Sequence, residues 1–356
     1  MKKKIAVVLI GMFLLTGCGS ATKTNSTAST QTTEAKGNQT LTLSTFGLSE
    51  DVSQKVVYEP FEKKYNCKIV TETGTAAERY TKLAADKNSS VDVIELSQAL
   101  TAQGNTEKIF DKVDFNKIKN SADLIDVAKK FAKDGNGLAY TINSIGIIYD
   151  EKAVGFKINS FDDLWKSELK GKIAIPDITT TFGPAMVYMA GDHAKVDVTT
   201  DKGKAAFKAL TDLKPNIVKT YTKSSDLINM FTSGEISVAI VGDFGVPTIK
   251  SANPNLTYVT PKGTYANFNI MSVNKNSKNK KLAYDYINYR LSADLQKESG
   301  IALNEAPTNK NVQFTAEQSA NMTYGDTANN AKSIDYSFVN PILNNWVDQW
   351  NRTLNN

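Results

Sequence analysis

Cysteine and histidine are scarce: the 356 residues contain only Cys18, Cys67 and His193 of these types. Two thiols so far apart exclude the disulfide framework of a small stapled domain. A single histidine, with no Cys-x-x-Cys spacing, leaves a zinc site without ligands. No Gly-x-Ser-x-Gly elbow and no phosphate-binding glycine loop occurs, and His193 has no second histidine to work with. A hydrolase therefore lacks its parts, no catalytic residue can be named, and neither cofactor nor metal is called for. His193, in Gly191–Lys195, is expected on a surface loop. No internal repeat of fixed period is present. Charge of one sign is also missing. Outside Lys2, Lys3 and Lys4, 39 basic residues face 37 acidic ones, interspersed, so no nucleic-acid partner is expected.

Long apolar runs are absent except near the start, where Met1-Lys2-Lys3-Lys4 precedes Ile5–Leu15. At about 1.5 Å per residue that run spans roughly half of a bilayer core, too short to cross it. A charged start, a short apolar stretch and small residues read as an export signal over 1–17. Leu15-Thr16-Gly17-Cys18 resembles the lipobox of bacterial lipoproteins. That resemblance implies a diacylglycerol anchor on Cys18, holding the protein outside the cytoplasm on the membrane face. Ten of the 22 residues from Gly19 to Thr40 are Ser or Thr and none is large and apolar. Residues 18–40 should thus be a tether. Cys67, left without a partner, is expected to be buried as a small apolar group.

From Leu41 onward short β-branched runs alternate with amphipathic helices. Strands are expected at Leu41–Thr45, Lys68–Glu72, Val91–Leu96, Ile145–Tyr149, Lys172–Ile175, Ile236–Val241, Leu256–Val259 and Asn269–Val273. One helix opens at Ser49 and another runs from Asn279 to Leu291. The class is α/β with mainly parallel, helix-covered sheets, whose ligand sites lie in loops beyond the strand ends.

Five segments carry a wider likeness: Gly137–Asp150, Ser160–Trp165, Leu169–Asp177, Phe231–Ile240 and Ala283–Leu291. In order and spacing they resemble the bacterial extracellular solute-binding proteins that include the spermidine/putrescine receptors. The resemblance implies a two-lobed type II periplasmic-binding-protein fold that closes on a small-molecule solute and passes it to an ABC permease, as a monomer and without turnover. It places the first lobe in 41–140 plus 256–309, the second in 141–255, and a C-terminal helical segment, 310–356, packed on both. Trp346 and Trp350 in that segment are expected to be core.

Candidate ligand contacts follow the strand ends. Thr45 and Phe46 precede Gly47, where backbone can approach a ligand or simply turn. Ser97 and Gln98 end the third strand, where helix capping has the stronger claim on the Ser97 hydroxyl. Tyr140 and Asn143 sit at the lobe crossover, in reach of both halves. Asp177, Thr180 and Thr181 precede Pro184 at a helix start that could hold an oxyanion. Asp243 closes a strand, Asn267 and Asn269 open another, and Glu305 follows. Beside polyamine receptors, Asn269 stands where a carboxylate pairs the ligand ammonium, Val241 and Asn267 replace tryptophans, and Thr180 replaces a glutamate. Asp177, Asp243 and Glu305 remain to hold an amine. The expected solute is small and polar with at most one or two positive charges. A receptor for a carboxylate or phosphonate is the alternative, and a surface hydrolase or adhesin a lesser one.

Overall fold

The β-branched runs become strands, and the central ones, at 93–97, 137–149, 173–176 and 238–242, are buried on both faces. The computed structural model describes residues 39–354 apart from Leu48 and Asn136; the export signal, Cys18 and the tether to residue 38 lie outside the described residues. The strands are β1 (Gln39–Thr45), β2 (Cys67–Thr73), β3 (Val93–Ser97), β4 (Gly137–Tyr149), β5 (Ile173–Pro176), β6 (Ile217–Tyr221), β7 (Val238–Gly242), β8 (Thr257–Val259), β9 (Tyr265–Val273), β10 (Ala306–Pro307) and β11 (Lys332–Ser333). Gln39 and Thr40, expected in the tether, are strand instead, paired with Cys67 and Lys68. Strand β6 was not expected. It lies at the end of its sheet, and four outward or half-buried side chains blur its apolar pattern.

Two sheets share one strand. The first runs β2-β1-β3-β9-β4 and the second β4-β7-β5-β6, with β8 also on β4. Pairs β1/β2, β1/β3, β5/β6 and β5/β7 are parallel, whereas β9 meets β3 and β4 antiparallel, as β7 meets β4. Strand β4 pairs with β9 up to Ser144 and with β7 from Ile145. All 13 of its residues are buried, which explains why no alternating pattern marks it. Strand β8 pairs with the second-sheet half of β4 and β9 with its first-sheet half, so residues 260–264 pass between the sheets. Helices cover both sheets, giving the two-lobed type II solute-binding architecture.

The C-terminal segment is helical only over Asp326–Asn330 and Tyr336–Leu354; the stretch from 310 to 325 is irregular. Trp346 and Trp350 are fully buried in the second lobe's core. Each such ring removes roughly 150–250 Å² from water, up to about 4–6 kcal/mol before chain entropy. The indole N–H of Trp346 donates to the Lys202 carbonyl at 2.8 Å, and Asn340 donates to Ala99 of the first lobe at 3.1 Å. Cys67 is buried, and burial raises its thiol. His193 lies inside the helix Gly183–Ala194 rather than on a loop, stacked 3.9 Å from Trp165 with Nδ1 2.7 Å from Asp162. No described helix is long and apolar enough to cross a membrane.

Candidate functional site

A cavity of about 300 Å³ opens at the ends of β1, β3 and β9, beside the point where β4 changes sheets. This is the lower end of the volumes that hold small organic ligands. A bulge aims its central residue. Between Ala139 and Thr141 the β4 register against β9 slips by one, leaving Tyr140 unpaired in the ladder. Gln296 takes up the freed Tyr140 carbonyl at 2.9 Å, and the ring swings over the Arg290 guanidinium, 4.4 Å away.

Tyr140 donates to Glu95 Oε2 at 3.2 Å, and Thr45 donates to the same oxygen at 2.7 Å. Glu95 is 3% exposed. Burial raises its carboxyl, against the opposing pull of Arg290 and the Thr45 hydrogen bond. Burial likewise pushes Tyr140 and Tyr286 well above the ordinary phenol range. Arg290 bonds Glu305 through Nη2, 2.9 Å to each carboxylate oxygen. Desolvation works against the guanidinium's charge, but Glu305 and the surrounding oxygens hold it well above its usual value. Behind Phe46, Arg79 lies 4.9 Å over the ring and donates to the Glu95 carbonyl at 2.9 Å. Gly47 makes that turn possible at φ +68°, and a Cβ there would come within 2.9 Å of Thr73.

The opposite wall is an amide ladder. Asn267 Nδ2 reaches Asn143 Oδ1 and Asn269 Oδ1, both at 3.3 Å. Tyr58, Tyr286 and Phe244 add rings, and the Tyr286 hydroxyl and Arg290 Nε have no hydrogen-bond partner among the described residues. Among the described residues, Thr181 and Phe244 are those that reach the lining from beyond the sheet change in β4 and before β9.

Of the residues expected from sequence, Thr45, Phe46, Tyr140, Asn143, Thr181, Asn267, Asn269 and Glu305 share this cavity; Ser97, Gln98, Asp177, Thr180 and Asp243 lie outside it. Ser97 neither lines it nor caps the next helix with its side chain; its carbonyl accepts from Thr101 at 3.0 Å. Gln98 turns behind the sheet, donating to the Ile334 carbonyl at 3.0 Å. Asp177 is spent on its own turn, accepting from the Thr179 N–H and hydroxyl, and Thr180 donates back to the Asp177 carbonyl at 2.7 Å. That turn is packed so closely on the following helix that a Cβ at Gly183 would lie 2.3 Å from the Asp177 carbonyl. Asp243 is buried and engaged by Thr323 at 2.8 and 2.6 Å. Glu305 lines the cavity, but its charge is answered by Arg290 and not free for an amine.

Sequence reasoning missed Glu95, Arg290, Tyr58, Tyr286 and Phe244. A glutamate inside the apolar run Val93–Leu96 was a usable signal, because a charge buried in a strand demands a partner. Tyr286 and Arg290 stand four apart on one helix and carried no comparable mark.

With this geometry in view, the comparisons converge. Residues 57–324 match the family described as bacterial extracellular solute-binding protein. A crystallised ABC transporter protein of Clostridium perfringens ATCC 13124 is 52% identical over 88% of this chain and 99% of its own, with a TM-score of 0.82. The spermidine/putrescine-binding periplasmic protein of Escherichia coli K12 is 26% identical over 67% of this chain and 70% of that protein. The spermidine/putrescine ABC transporter substrate-binding protein of Streptococcus pneumoniae, 17% identical, covers 88% of this chain and 98% of its own at a TM-score of 0.74, a likeness of fold.

Proposed function

We propose that this chain, which belongs to the bacterial extracellular solute-binding protein family and is the solute-binding protein of an ABC transporter, captures a small organic amine with one cationic group and delivers it to its permease. One observation carries the reading. Glu95 and Glu305 both line the cavity, but Arg290 pairs with Glu305, so of the described carboxylates in the lining Glu95 is the one without a salt bridge. Its carboxylate has already lost its water, which makes an incoming ammonium worth more there than at the surface. Tyr58, Tyr140, Tyr286 and Phe46 line the same cavity with aromatic rings, a type of group that attracts a cation, although Tyr140 and Phe46 each already carry an arginine on one face. The amide ladder of Asn143, Asn267 and Asn269 suits hydroxyls or amides on the rest of the solute.

The relatives named for spermidine and putrescine support an amine. The single unpaired carboxylate argues for fewer charges than spermidine carries. The lobes would open and close by bending where β4 changes sheets and at 260–264, and Phe244 and Thr181, already on the cavity wall, would cover the solute in the closed form. On this reading the protein works as a monomer outside the cytoplasm, held to the membrane by lipid on Cys18.

The test is a thermal-shift and calorimetric panel of ethanolamine, putrescine, spermidine and acetate, preceded by native mass spectrometry of the protein purified without denaturation. Ethanolamine or a co-purified monoamine should bind, with affinity falling ten- to a hundredfold in Glu95→Gln, the loss of a charged hydrogen bond of about 1.5–3 kcal/mol. Tight acetate binding indifferent to Glu95→Gln, or spermidine preferred over every monoamine, would overturn the proposal.

A further inference from the structure

The strands that join the lobes meet at a buried carboxylate that takes no part in lining the cavity. Asp243 directly follows β7 in the second lobe and is 3% exposed. Its Oδ2 accepts from the Thr323 N–H at 2.8 Å and from the Thr323 hydroxyl at 2.6 Å. Since that hydroxyl proton points to Asp243, Ser144 is the donor in its 2.7 Å bond with Thr323. Ser144 is the last residue of β4 paired with β9 before the strand changes sheets. Thr323 belongs with the first lobe: its neighbour Tyr324 donates to the Val312 carbonyl at 2.9 Å and packs on Phe314, which touches Gly300 of the helix Ala293–Leu303. Asn304, at the end of that helix, reaches the Asp243 carbonyl at 3.4 Å. The next residue after Asp243 is Phe244, one of the two second-lobe residues on the cavity wall.

We propose that Asp243 is a positioning residue, an inter-lobe clasp that holds the turn bearing Phe244 over the solute and ties closure of the lobes to uptake of one proton. Opening separates Asp243 from Thr323 and returns its carboxyl to water. In the clasped arrangement, burial lifts the Asp243 carboxyl to about 7, with the Thr323 bonds opposing. Few other charges face it. From β8 comes the neutral Tyr258, whose hydroxyl is raised by its own burial and by Asp243; β4 brings Ser144 and the C-terminal segment Thr323, neither ionised. Glu305, beside Asn304 in sequence, is committed to Arg290.

The sign follows from linkage. The closed form holds the proton more tightly, so closure is favoured most below the ordinary carboxylate pKa of about 4, and weakens by up to tenfold per pH unit as pH rises towards 7. Above about 7 the dependence flattens.

Spin labels at Lys87→Cys in the first lobe and Lys170→Cys in the second, in the full chain carrying Cys18→Ser and Cys67→Ala, read the inter-lobe distance without any solute. Between pH 5 and pH 8 the ratio of short to long distances should fall at least tenfold. Asp243→Asn should abolish this pH dependence, and Thr323→Val, which cannot donate from its side chain, should lengthen the mean distance at pH 5. A distance distribution unchanged with pH, a pH dependence that survives Asp243→Asn, or a Thr323→Val protein as closed as the parent overturns the proposal. Because no solute enters the experiment, its failure leaves the amine reading standing, and the converse holds too.

Discussion

Glu305→Ala would leave a guanidinium buried beside the cavity with its principal partner gone. The Arg290 side chain is 4% exposed and Glu305 22%. After the substitution Arg290 retains a long bond to Ser299 at 3.4 Å and the Tyr140 face at 4.4 Å, and its Nε has no partner at the outset. Removing one member of a buried ion pair costs about 3–5 kcal/mol. The partial exposure of Glu305 and the residual cation–π attraction, about 0.5–2 kcal/mol, reduce the expected loss to about 2–4 kcal/mol. A domain of ordinary stability has about 5–15 kcal/mol to lose, so the effect is large. Urea unfolding followed by tryptophan fluorescence should show a lower midpoint with an unchanged slope. The double variant Arg290→Met, Glu305→Ala should recover at least half of the loss, because the stranded charge is gone. A cost under about 1 kcal/mol for Glu305→Ala, or a double variant no more stable than the single one, would refute the account of a desolvated pair.

Three further outcomes are expected. Trp346→Ala should lower unfolding free energy by about 3–5 kcal/mol in urea, since a fully buried ring and its 2.8 Å bond to Lys202 are removed together. Gly183→Ala should cost about 1–3 kcal/mol in the same assay, because its new methyl meets main-chain atoms of Asp177 and Ile178 rather than a movable side chain. Cys18→Ser should move the protein from the membrane fraction to the soluble one, and mass spectrometry of the parent should find a lipid-modified cysteine; equal membrane retention by the variant would remove the anchor.

Strand positions and fold family were legible in the chain because apolar periodicity and the ordered segments from Gly137–Asp150 to Ala283–Leu291 are local properties. Tyr140, Asn143, Asn267 and Asn269, singled out where a strand begins or crosses between sheets, all line the cavity. The carboxylates were misjudged for a single reason: a sequence shows an acidic residue but not what has already claimed it. Asp177 serves its own turn through Thr179, a partner two residues away. Asp243 is answered by Thr323 and Glu305 by Arg290, partners 80 and 15 residues away.

Near-neighbour chemistry along the chain thus determined the α/β class and the solute-binding family, and it raises the expectation of an export signal at 1–17 and a lipid anchor at Cys18. Tertiary structure alone decided which charge is free. Strand β3 carries Glu95 under Tyr140 and Thr45, the helix Lys280–Arg290 brings Arg290 to Glu305, and the sheet change in β4 sets Ser144 beside Thr323 and Asp243. Charge pairing and desolvation act through space over a few ångströms, and only folding brings residues so far apart in sequence within that distance.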